Sequence, residues 1–177
     1  MNQKLLLNAR QVGLTIKRLA HQIVENHLVL ENTVLIGLQP RGVCVGNRIM
    51  EELKGIVAPE KIVYGKLDIT FYRDDIRNNL HVANETDIPF SVEKKSVVLI
   101  DDVLWTGRSV RAALDALLDF GRPSNVELCA LIDRRFSRQL PIEATYVGRS
   151  IDTYHSQKVK VCWKENSEQD EIILITE

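Results

Sequence analysis

The segment Val97–Ser109 reads VVLIDDVLWTGRS, and it decides how this chain folds. Its first four residues are apolar and predict a short buried strand over Val97–Ile100. Two carboxylates, those of Asp101 and Asp102, follow at the end of that strand. The polar run Thr106–Ser109 then leads into the clearest helix pattern of the sequence. A strand that delivers polar side chains to the start of a helix is typical of α/β proteins.

The helix pattern after this segment predicts one buried apolar stripe, and Gly121 with Pro123 predicts the end of the helix. The stripe consists of Val110, Ala113, Leu114, Leu117 and Leu118. Elsewhere in the chain, three apolar runs bounded by polar residues predict further strands. They are Thr33–Leu38, Ile62–Ile69 and Val126–Ile132.

Two more helices are predicted from apolar residues at helical spacing. They are Asn8–Asn26, with Asn8 as its N-cap, and the stretch that carries Val45, Ile49 and Leu53 and stops at Gly55. Helices that alternate with buried strands imply crossover connections and a mostly parallel central sheet with helices on both faces. The sequence therefore predicts an α/β fold, and it predicts a single domain over residues 1–177 because no linker divides it.

Two segments depart from this alternation. Residues 70–91 are polar, rich in Asn and Asp, and too long for an ordinary connection, so they predict a flexible lid loop. The tail alternates again over Val159–Trp163 and Ile172–Ile175, which predicts a small antiparallel hood beside the main sheet. In parallel sheets, ligands bind at the carboxyl ends of the strands, which is where Asp101 and Asp102 lie.

Composition excludes several classes of protein. Lys and Arg number 23 against 24 Asp and Glu, so the net charge of −1 argues against binding of nucleic acid by bulk charge alone. No apolar run approaches the ~20 residues of a membrane span, and the first residues lack the pattern of a secretory signal. Cys44, Cys129 and Cys162 lie far apart among apolar neighbours, which favours buried thiols over disulfides or a zinc site. We therefore expect a cytoplasmic protein with no membrane partner.

The run Thr106–Ser109 has the composition of a phosphate socket. Backbone N–H groups at a helix N-terminus, together with hydroxyl groups, bind a phosphate monoester, and Gly107 lets the backbone approach it closely. Asp101 and Asp102 would repel that phosphate, so their expected partners are hydroxyl donors or a hydrated cation. A phosphate beside two hydroxyls describes a ribose 5-phosphate. The residues therefore point to a sugar phosphate that binds together with magnesium.

Other phosphate-binding motifs do not match this segment. A P-loop requires Gly five positions before Gly107 and Lys directly after it, whereas this chain has Asp102 and Arg108 there. The G-x-G-x-x-G pattern of dinucleotide-binding folds is absent. The alternative without a ligand is that two acids end a strand and Thr106 caps a helix. An ordinary cap needs one polar residue, so the complete set favours a ligand site.

The segment resembles the 5-phosphoribosyl-1-pyrophosphate (PRPP) signature of type I phosphoribosyltransferases. Further blocks resemble the PyrR family in one register from Met1 to about Val161; they are LIGLQPRG, DITFYRDD, VLIDDVLWTGRSVRAALDAL, GRPSNVELCALIDR and LPIEATYVGRSI. The resemblance implies a uracil phosphoribosyltransferase, a transferase of pyrimidine salvage that makes UMP and pyrophosphate from uracil and PRPP with Mg²⁺. Some members of this family also act as attenuation regulators of the pyrimidine operon.

The resemblance implies roles for individual residues. The residues expected at PRPP are Pro40, Arg41, Asp101, Asp102, Val103, Leu104, Trp105, Thr106, Gly107, Arg108 and Ser109. Of these, the two aspartates would hold the ribose hydroxyls, Thr106–Ser109 the 5-phosphate, and Arg41 the pyrophosphate. Family members commonly have Thr at position 40, so Pro40 removes a hydroxyl and an N–H group there. The lid residues Tyr72–Asp75 match the family's YRDD. The resemblance implies that the catalytic residues are Arg41, Arg73, Asp101 and Asp102, and that closure of the lid would bring Arg73 and Arg77 to the site.

One position predicts the base. Purine-specific relatives have an acid directly before the Thr-Gly pair, whereas this chain has Trp105, which favours a pyrimidine. The resemblance places uracil against Arg134 and against backbone groups near Val159. A solvated arginine after a strand is the alternative reading of Arg134, and the sequence leaves both readings open. Magnesium would arrive with PRPP, and no residue is assigned as its direct ligand.

A second class of function is RNA binding. Lys17, Arg18 and His21 share one face of the first helix, and the resemblance implies that this face, joined by Arg149 in a homodimer or higher oligomer, meets a messenger RNA leader. The protein would then be mainly an attenuation regulator that senses UMP, with weak or no catalysis. A solvated basic helix face is the alternative. Two features favour the enzyme over the regulator: Pro40, and Glu143 near a position where regulatory members carry a basic residue.

Overall fold

The computed structural model describes residues 2–28, 30–74 and 83–176. In this part of the chain the strands are β1 (Asn2–Leu7), β2 (Thr33–Leu38), β3 (Val63–Leu67), β4 (Ser96–Leu104), β5 (Asn125–Arg135), β6 (Tyr146–Asp152), β7 (Gln157–Cys162) and β8 (Glu171–Thr176). The helices are α1 (Ala9–His27), α2 (Gly42–Lys54) and α3 (Arg108–Leu117), with short 3-10 turns at Pro59–Lys61, Thr70–Tyr72 and Leu118–Phe120. Among these residues, five strands form a parallel sheet in the order β3-β2-β4-β5-β6.

Helices cover both faces of the parallel sheet because its central strand is apolar on both sides. In β4, Val98 and Ile100 lie in a core shared with α1 and α2, whereas Val97 and Leu99 lie in a core shared with α3. All four side chains are fully buried. This arrangement confirms the predicted α/β fold, with a mostly parallel sheet and helices on both faces.

The tail of the chain forms the predicted antiparallel hood. β7 pairs with β8 from Gln157 opposite Thr176 to Cys162 opposite Glu171, and Trp163 is buried against the core below. The sequence did not predict β1, which pairs with the other edge of β8. Five of the six residues of β1 are at least partly exposed, so the strand carries no apolar alternation that would have marked it.

Some predicted elements differ in extent from the observed ones. The strand predicted over Val97–Ile100 continues to Leu104, because β5 offers a ladder that pairs Asp101 with Ala130 and Leu104 with Asp133. A run of four apolar residues cannot reveal a pairing partner that is supplied from elsewhere in the chain.

The predicted buried stripe of α3 is rotated in the structure. Leu114 and Leu118 are 38% and 66% exposed, whereas Ala112 and Ala116 are fully buried. The helix therefore packs its small residues against the sheet, which lets the two approach closely. The prediction that these two leucines are buried is wrong, because hydrophobicity alone does not set the rotation of a helix that faces the sheet with alanines.

The part of the predicted lid that the structure describes returns along the edge of the sheet. Lys66 of β3 and Asp87 exchange two backbone hydrogen bonds of 2.8 Å. Asp75 and Arg77 lie outside the described residues. None of the described helices combines the length and the apolar character that crossing a membrane requires.

Candidate active site

A cavity of about 620 Å³ opens at the carboxyl end of the parallel sheet. Its walls come from the start of α2, the end of β4, the segment that leads from β4 into α3, the end of β5, and the segment 155–159 at the start of β7. Arg73 and Gln139 also line it. The carboxyl ends of neighbouring parallel strands meet at one edge, so side chains from distant parts of the sequence converge there.

The segment Val103–Ser109, which leads from the end of β4 into α3, lines the cavity along its whole length. Gly107 occupies the N-cap position of α3 with φ +91°, a backbone conformation that residues with a side chain rarely adopt. Because glycine has no side-chain oxygen, the N-cap residue offers no side-chain acceptor to the first-turn amides of α3. The N–H of Arg108 makes a long bond of 3.4 Å to Thr106 Oγ1. These amides and the hydroxyls of Thr106 and Ser109 are thus suited to bind an anion.

The two aspartates of β4 have different surroundings. Asp101 lines the cavity, and its Oδ1 accepts a hydrogen bond of 2.9 Å from the backbone N–H of Asp102. Asp102 does not line the cavity and is 2% exposed; its Oδ1 accepts a bond of 2.8 Å from the N–H of Val103, and its Oδ2 lies 3.5 Å from Arg41 Nε. Burial raises the pKa of the Asp101 carboxyl well above its usual value, and the neighbouring charge of Asp102 raises it further.

Arg41 stands directly before α2, between the end of β2 and the cavity. Its side chain is 67% exposed and forms part of the cavity wall, while the preceding Pro40 does not line the cavity. The next residue, Gly42, lets α2 start close to β4, since a Cβ atom there would collide with the carbonyl oxygen of Ile100. Arg41 is therefore held beside the aspartates yet free to meet a ligand.

Arg73 and its neighbours join the predicted lid to the start of α3. Arg73 lines the cavity, with Nη1 3.4 Å from Ser109 Oγ. Arg108 Nη1 donates a bond of 2.8 Å to Asp74 Oδ2, and Arg111 Nη2 donates one of 3.0 Å to the carbonyl of Tyr72. The first residues of the predicted lid are thus docked on the same helix end that forms the anion site.

Arg134 also lines the cavity and is 3% exposed, so the solvated alternative for this residue is wrong. Its Nε donates a bond of 3.0 Å to Thr153 Oγ1, and its Nη2 donates bonds to the carbonyls of Gln157 (2.8 Å) and Tyr154 (3.3 Å). Burial lowers the pKa of the guanidinium. Its central carbon stands 4.8 Å from the ring centroid of Trp105, within cation–π range.

Two aromatic side chains and a residue of the hood also line the cavity. Trp105 is 40% exposed, and the His155 ring meets it edge-on with centroids 6.1 Å apart. Val159 of β7 lines the cavity and is buried. The sequence reasoning found Arg134 and Val159 but missed His155 and Gln139, which also line the cavity. The only available signal was their closeness in sequence to those two residues.

A magnesium site made of protein side chains alone is not present in the described part of the chain, where no group of three or more His, Cys, Asp or Glu residues converges. Among the described residues that line the cavity, Asp101 is the one carboxylate. Mg²⁺ is usually bound by one or two carboxylates, waters and substrate phosphates. The residues therefore fit a cation that is brought by a phosphorylated substrate.

The basic helix face lies apart from the cavity. Lys17, Arg18 and His21 are all exposed on α1. Arg18 donates through Nη2 to the carbonyl of Gly148, and Arg149 Nη1 donates a bond of 2.6 Å to the carbonyl of Leu6. Arg149 is thus a near neighbour of this face within one chain.

The fold and the cavity together define a phosphoribosyltransferase, and the family model described as the phosphoribosyl transferase domain matches residues 2–166. Two relatives that are each named "Bifunctional protein PyrR" are 41% identical to the chain. The one from Elusimicrobium minutum matches over 98% of this chain and 97% of its own length, and the one from Bacillus cereus over 94% of both. The chain belongs to the PyrR family of phosphoribosyltransferases, which confirms the family and the enzyme class predicted from the sequence.

Solved structures agree with this fold. A hypoxanthine phosphoribosyltransferase from Trypanosoma cruzi superimposes with a TM-score of 0.76 over 97% of this chain and 94% of its own, at 18% identity. A hypoxanthine-guanine phosphoribosyltransferase from Bacillus anthracis gives a TM-score of 0.72 over 99% of this chain and 100% of its own, at 16% identity. At such identities the likeness concerns the fold alone.

Proposed function

We propose that the protein converts uracil and PRPP to UMP and pyrophosphate. The observation that carries this proposal is one cavity lined by an anion-binding helix start, by Asp101, and by the buried Arg134 with its central carbon 4.8 Å from the Trp105 ring centroid. A ribose 5-phosphate joined to a base requires the same set of groups: phosphate donors, a hydroxyl acceptor, and a flat polar wall.

The loop Thr106–Ser109 would hold the 5-phosphate through backbone amides and hydroxyls, with Arg73 close to Ser109. Asp101 would accept hydrogen bonds from the ribose hydroxyls. Burial and the neighbouring charge of Asp102 raise the pKa of this carboxyl, and hydrogen bonds from two ribose hydroxyls would favour its ionised form. Asp102 would act through Arg41, which its buried carboxylate orients. These residues would hold the sugar in one position for attack.

Catalysis would consist of holding the reactants in line and stabilising the leaving group. As the bond from the anomeric carbon to pyrophosphate breaks, negative charge grows on the pyrophosphate, and Arg41 is placed to stabilise it. Mg²⁺, bound by the PRPP phosphates, would supply further positive charge there. No covalent nucleophile is needed, and the residues of the cavity include no Ser-His-Asp or Cys-His arrangement in the described part of the chain.

Uracil would lie against Trp105 and Arg134, with the backbone of residues 156–159 along its edge. Because Trp105 stands where purine-specific relatives have an acid, the site lacks the carboxylate that contacts a purine imidazole. Arg134 already donates to three groups of the protein, which fixes its position and leaves its plane against the indole ring. A pyrimidine is therefore the proposed base.

The proposal is tested by incubation of radiolabelled uracil with PRPP and Mg²⁺, and by parallel assays with orotate, hypoxanthine and guanine. UMP formed from uracil at a rate far above the rate for any other base is the expected result. Turnover of hypoxanthine or guanine at a similar rate would refute the assignment of the base. Absence of any PRPP-dependent product would refute the proposed function.

We propose a second activity, the regulation of pyrimidine biosynthesis genes through a messenger RNA leader. The name of the relatives, "Bifunctional protein PyrR", and the exposed Lys17, Arg18 and His21 support it. Filter binding of pyrimidine-operon leader RNA, with and without UMP, tests it. We expect an affinity for the leader RNA that falls with salt and rises with UMP. Weak binding that does not depend on the RNA sequence would leave only the enzyme activity.

The family resemblance also leads us to propose that the protein is cytoplasmic and forms a homodimer or a higher oligomer. Analytical ultracentrifugation measures the mass of the assembly and tests this proposal.

A further inference from the structure

The segment 138–140, which follows β5, holds the loop Trp105–Gly107 through hydrogen bonds to two of its carbonyl groups. The backbone N–H groups of Gln139 and Leu140 donate bonds of 3.0 and 3.2 Å to the carbonyl of Thr106. Arg138 Nη1 donates to the carbonyl of Trp105. Two successive carbonyl groups of the loop are therefore held from the same side by one neighbouring segment.

This arrangement determines where the amides of the loop point. A trans peptide group is planar, and its C=O and N–H bonds point in opposite directions. When the carbonyls of Trp105 and Thr106 are held toward the segment 138–140, the N–H groups of Thr106 and Gly107 point the other way. Trp105, Thr106 and Gly107 all line the cavity, where amides that point away from the segment 138–140 can meet a ligand.

We infer that Arg138 is a positioning residue for phosphate binding: without touching the substrate, it sets the peptide orientation that aims the loop amides at the phosphate. This inference rests on the proposed function. Neither Arg138 nor Leu140 lines the cavity, so their bonds to the loop act on its geometry. Gln139 does line it and accepts a bond of 2.9 Å from Arg108 Nε, which ties the side chain of the loop's own arginine to the same segment.

The anchor of Arg138 is Asp133, whose Oδ1 accepts from Arg138 Nη2. Asp133 pairs with Leu104 across the parallel sheet, so the guanidinium joins the rigid end of the sheet to the loop. Both side chains are mostly buried, at 23% and 16% exposed. A planar guanidinium can hold two acceptors in a fixed relation, whereas a lysine ammonium is a point charge on a flexible stem.

Loss of the bonds that join Arg138 to Asp133 and to the loop should lower the affinity for PRPP. A loop that must adopt one orientation on binding loses conformational entropy at that moment, and a loop already held in place does not. We expect Arg138→Met, which keeps the apolar stem of the side chain but removes the guanidinium, to raise the KM and Kd for PRPP about ten- to a hundredfold, the range for loss of charge-assisted hydrogen bonds. Arg138→Lys should restore part of the affinity.

The experiment compares Arg138→Met and Arg138→Lys with the control Arg135→Met. Arg135 belongs to the same part of the chain but pairs with Asp152 at the surface, where both side chains are more than half exposed. Titration calorimetry measures the Kd for PRPP without uracil, and steady-state rates give kcat and the KM for each substrate. We expect a higher KM for PRPP only in the Arg138 variants, with kcat and the KM for uracil within about twofold of the wild type.

A purely structural role would lower the melting temperature of Arg138→Met and leave the Kd for PRPP unchanged, and that result would overturn the inference. If Arg138→Met does not fold, Asp133→Asn weakens the same anchor. It should raise the Kd for PRPP by a smaller factor, and an unchanged Kd would overturn the inference equally. A wild-type protein that neither binds PRPP nor forms UMP would defeat the proposed function, whereas an active wild type with an unaffected Arg138→Met would defeat this inference alone.

Discussion

Two polar clusters lie at opposite ends of the same parallel sheet. At the amino end, Glu127 Oε2 is 2.9 Å from His27 Nε2 and accepts a bond of 2.6 Å from the hydroxyl of Tyr146. The hydroxyl of Thr33 lies 3.0 Å from His27 Nδ1. Each of these groups finds its partner within the protein. The cluster lies far from the cavity and fits a role in stability.

At the carboxyl end of the sheet, a carboxylate and a basic side chain face the cavity and do not pair with each other in a closed cluster. Asp101 has one backbone donor and a charged neighbour, and its pKa is raised. Arg41 lines the open cavity with its side chain largely exposed. The charged groups of the amino-end cluster are paired with one another inside the protein, whereas Asp101 and Arg41 present their charged groups to the cavity. Two adjacent carboxylates, one of them with a raised pKa, cost stability, and such a cost is typical of functional sites.

The largest effect is expected from the double variant Asp101→Asn, Asp102→Asn. The carboxylate that would meet the ribose and the one that orients Arg41 are both neutralised, so kcat/KM for PRPP should fall by about a thousandfold or more. The free energy of unfolding should stay constant or rise, because two adjacent desolvated charges are removed. Rates of UMP formation and urea unfolding measure the two effects. Near-normal turnover would refute the assignment of these residues.

At the amino end of the sheet, Glu127→Gln should lower the stability of the protein and leave its turnover unchanged. It weakens the charge-assisted bonds from His27 and Tyr146, and the free energy of unfolding should fall by about 1–3 kcal/mol. Turnover under conditions where the protein stays folded should remain that of the wild type. Urea unfolding and the uracil assay check this pair of expectations, and a loss of activity without a loss of stability would contradict the proposed division of roles.

Glu127 and Asp101 should change the pH dependence of the free energy of unfolding in opposite directions. Burial raises the pKa of Glu127, but the hydrogen bonds from Tyr146 and His27 outweigh it and lower the pKa below the ordinary 4.5. Its stabilising contribution is therefore present above pH 4.5 and is lost as the pH falls through the lowered value. The raised pKa of Asp101 means that its contribution is present below the ordinary 3.8 and is lost as the pH rises through the folded value.

The measurement is the urea midpoint from about pH 4 to about pH 7.5 for the wild type, Glu127→Gln and Asp101→Asn. Relative to the wild type, Glu127→Gln should be less stable and Asp101→Asn more stable at neutral pH, and both differences should shrink toward acid pH. Two differences of the same sign would contradict the contrast between the clusters.

The smallest effect is expected from Asp152→Asn, which removes an ion pair with Arg135 at the surface. Both side chains are more than half exposed. The free energy of unfolding should change by less than about 0.5 kcal/mol, since water screens exposed pairs and solvates the separated charges. A change as large as that for Glu127→Gln would show that burial is not what distinguishes the amino-end cluster.

Part of the fold followed from local pattern. The strand β2 begins and ends at the predicted residues, Thr33 and Leu38, because six buried residues in a row stand between polar ones. Asn8 caps α1 as predicted, and its side chain accepts a bond of 3.0 Å from the N–H of Gln11. The edge strand β6 was not predicted, although Tyr146, Gly148 and Ile151 are buried in it, since its exposed polar residues interrupt the alternation.

The candidate site divides in a similar way. The loop Val103–Ser109 was found from its composition, and it lines the cavity as expected. Pro40 and Asp102 were predicted at the ligand but do not line the cavity, and Gln139 and His155 line it without having been predicted. Their positions depend on how β5 and the hood pack against the loop, and no short stretch of sequence carries that information.

The chemistry of the site was thus readable from the order of residues along the chain, because a phosphate socket is built from contiguous amides and hydroxyls at one helix start. Which aspartate faces the cavity, and whether Arg134 is solvated or buried, depended on three-dimensional contacts. Arg134 is buried because β5 places it beneath the segment that carries Gln157, 23 residues away. The burial of a side chain and its hydrogen-bond partners depend on residues that are distant in sequence. Only the tertiary structure therefore decides which charged side chains face the same cavity.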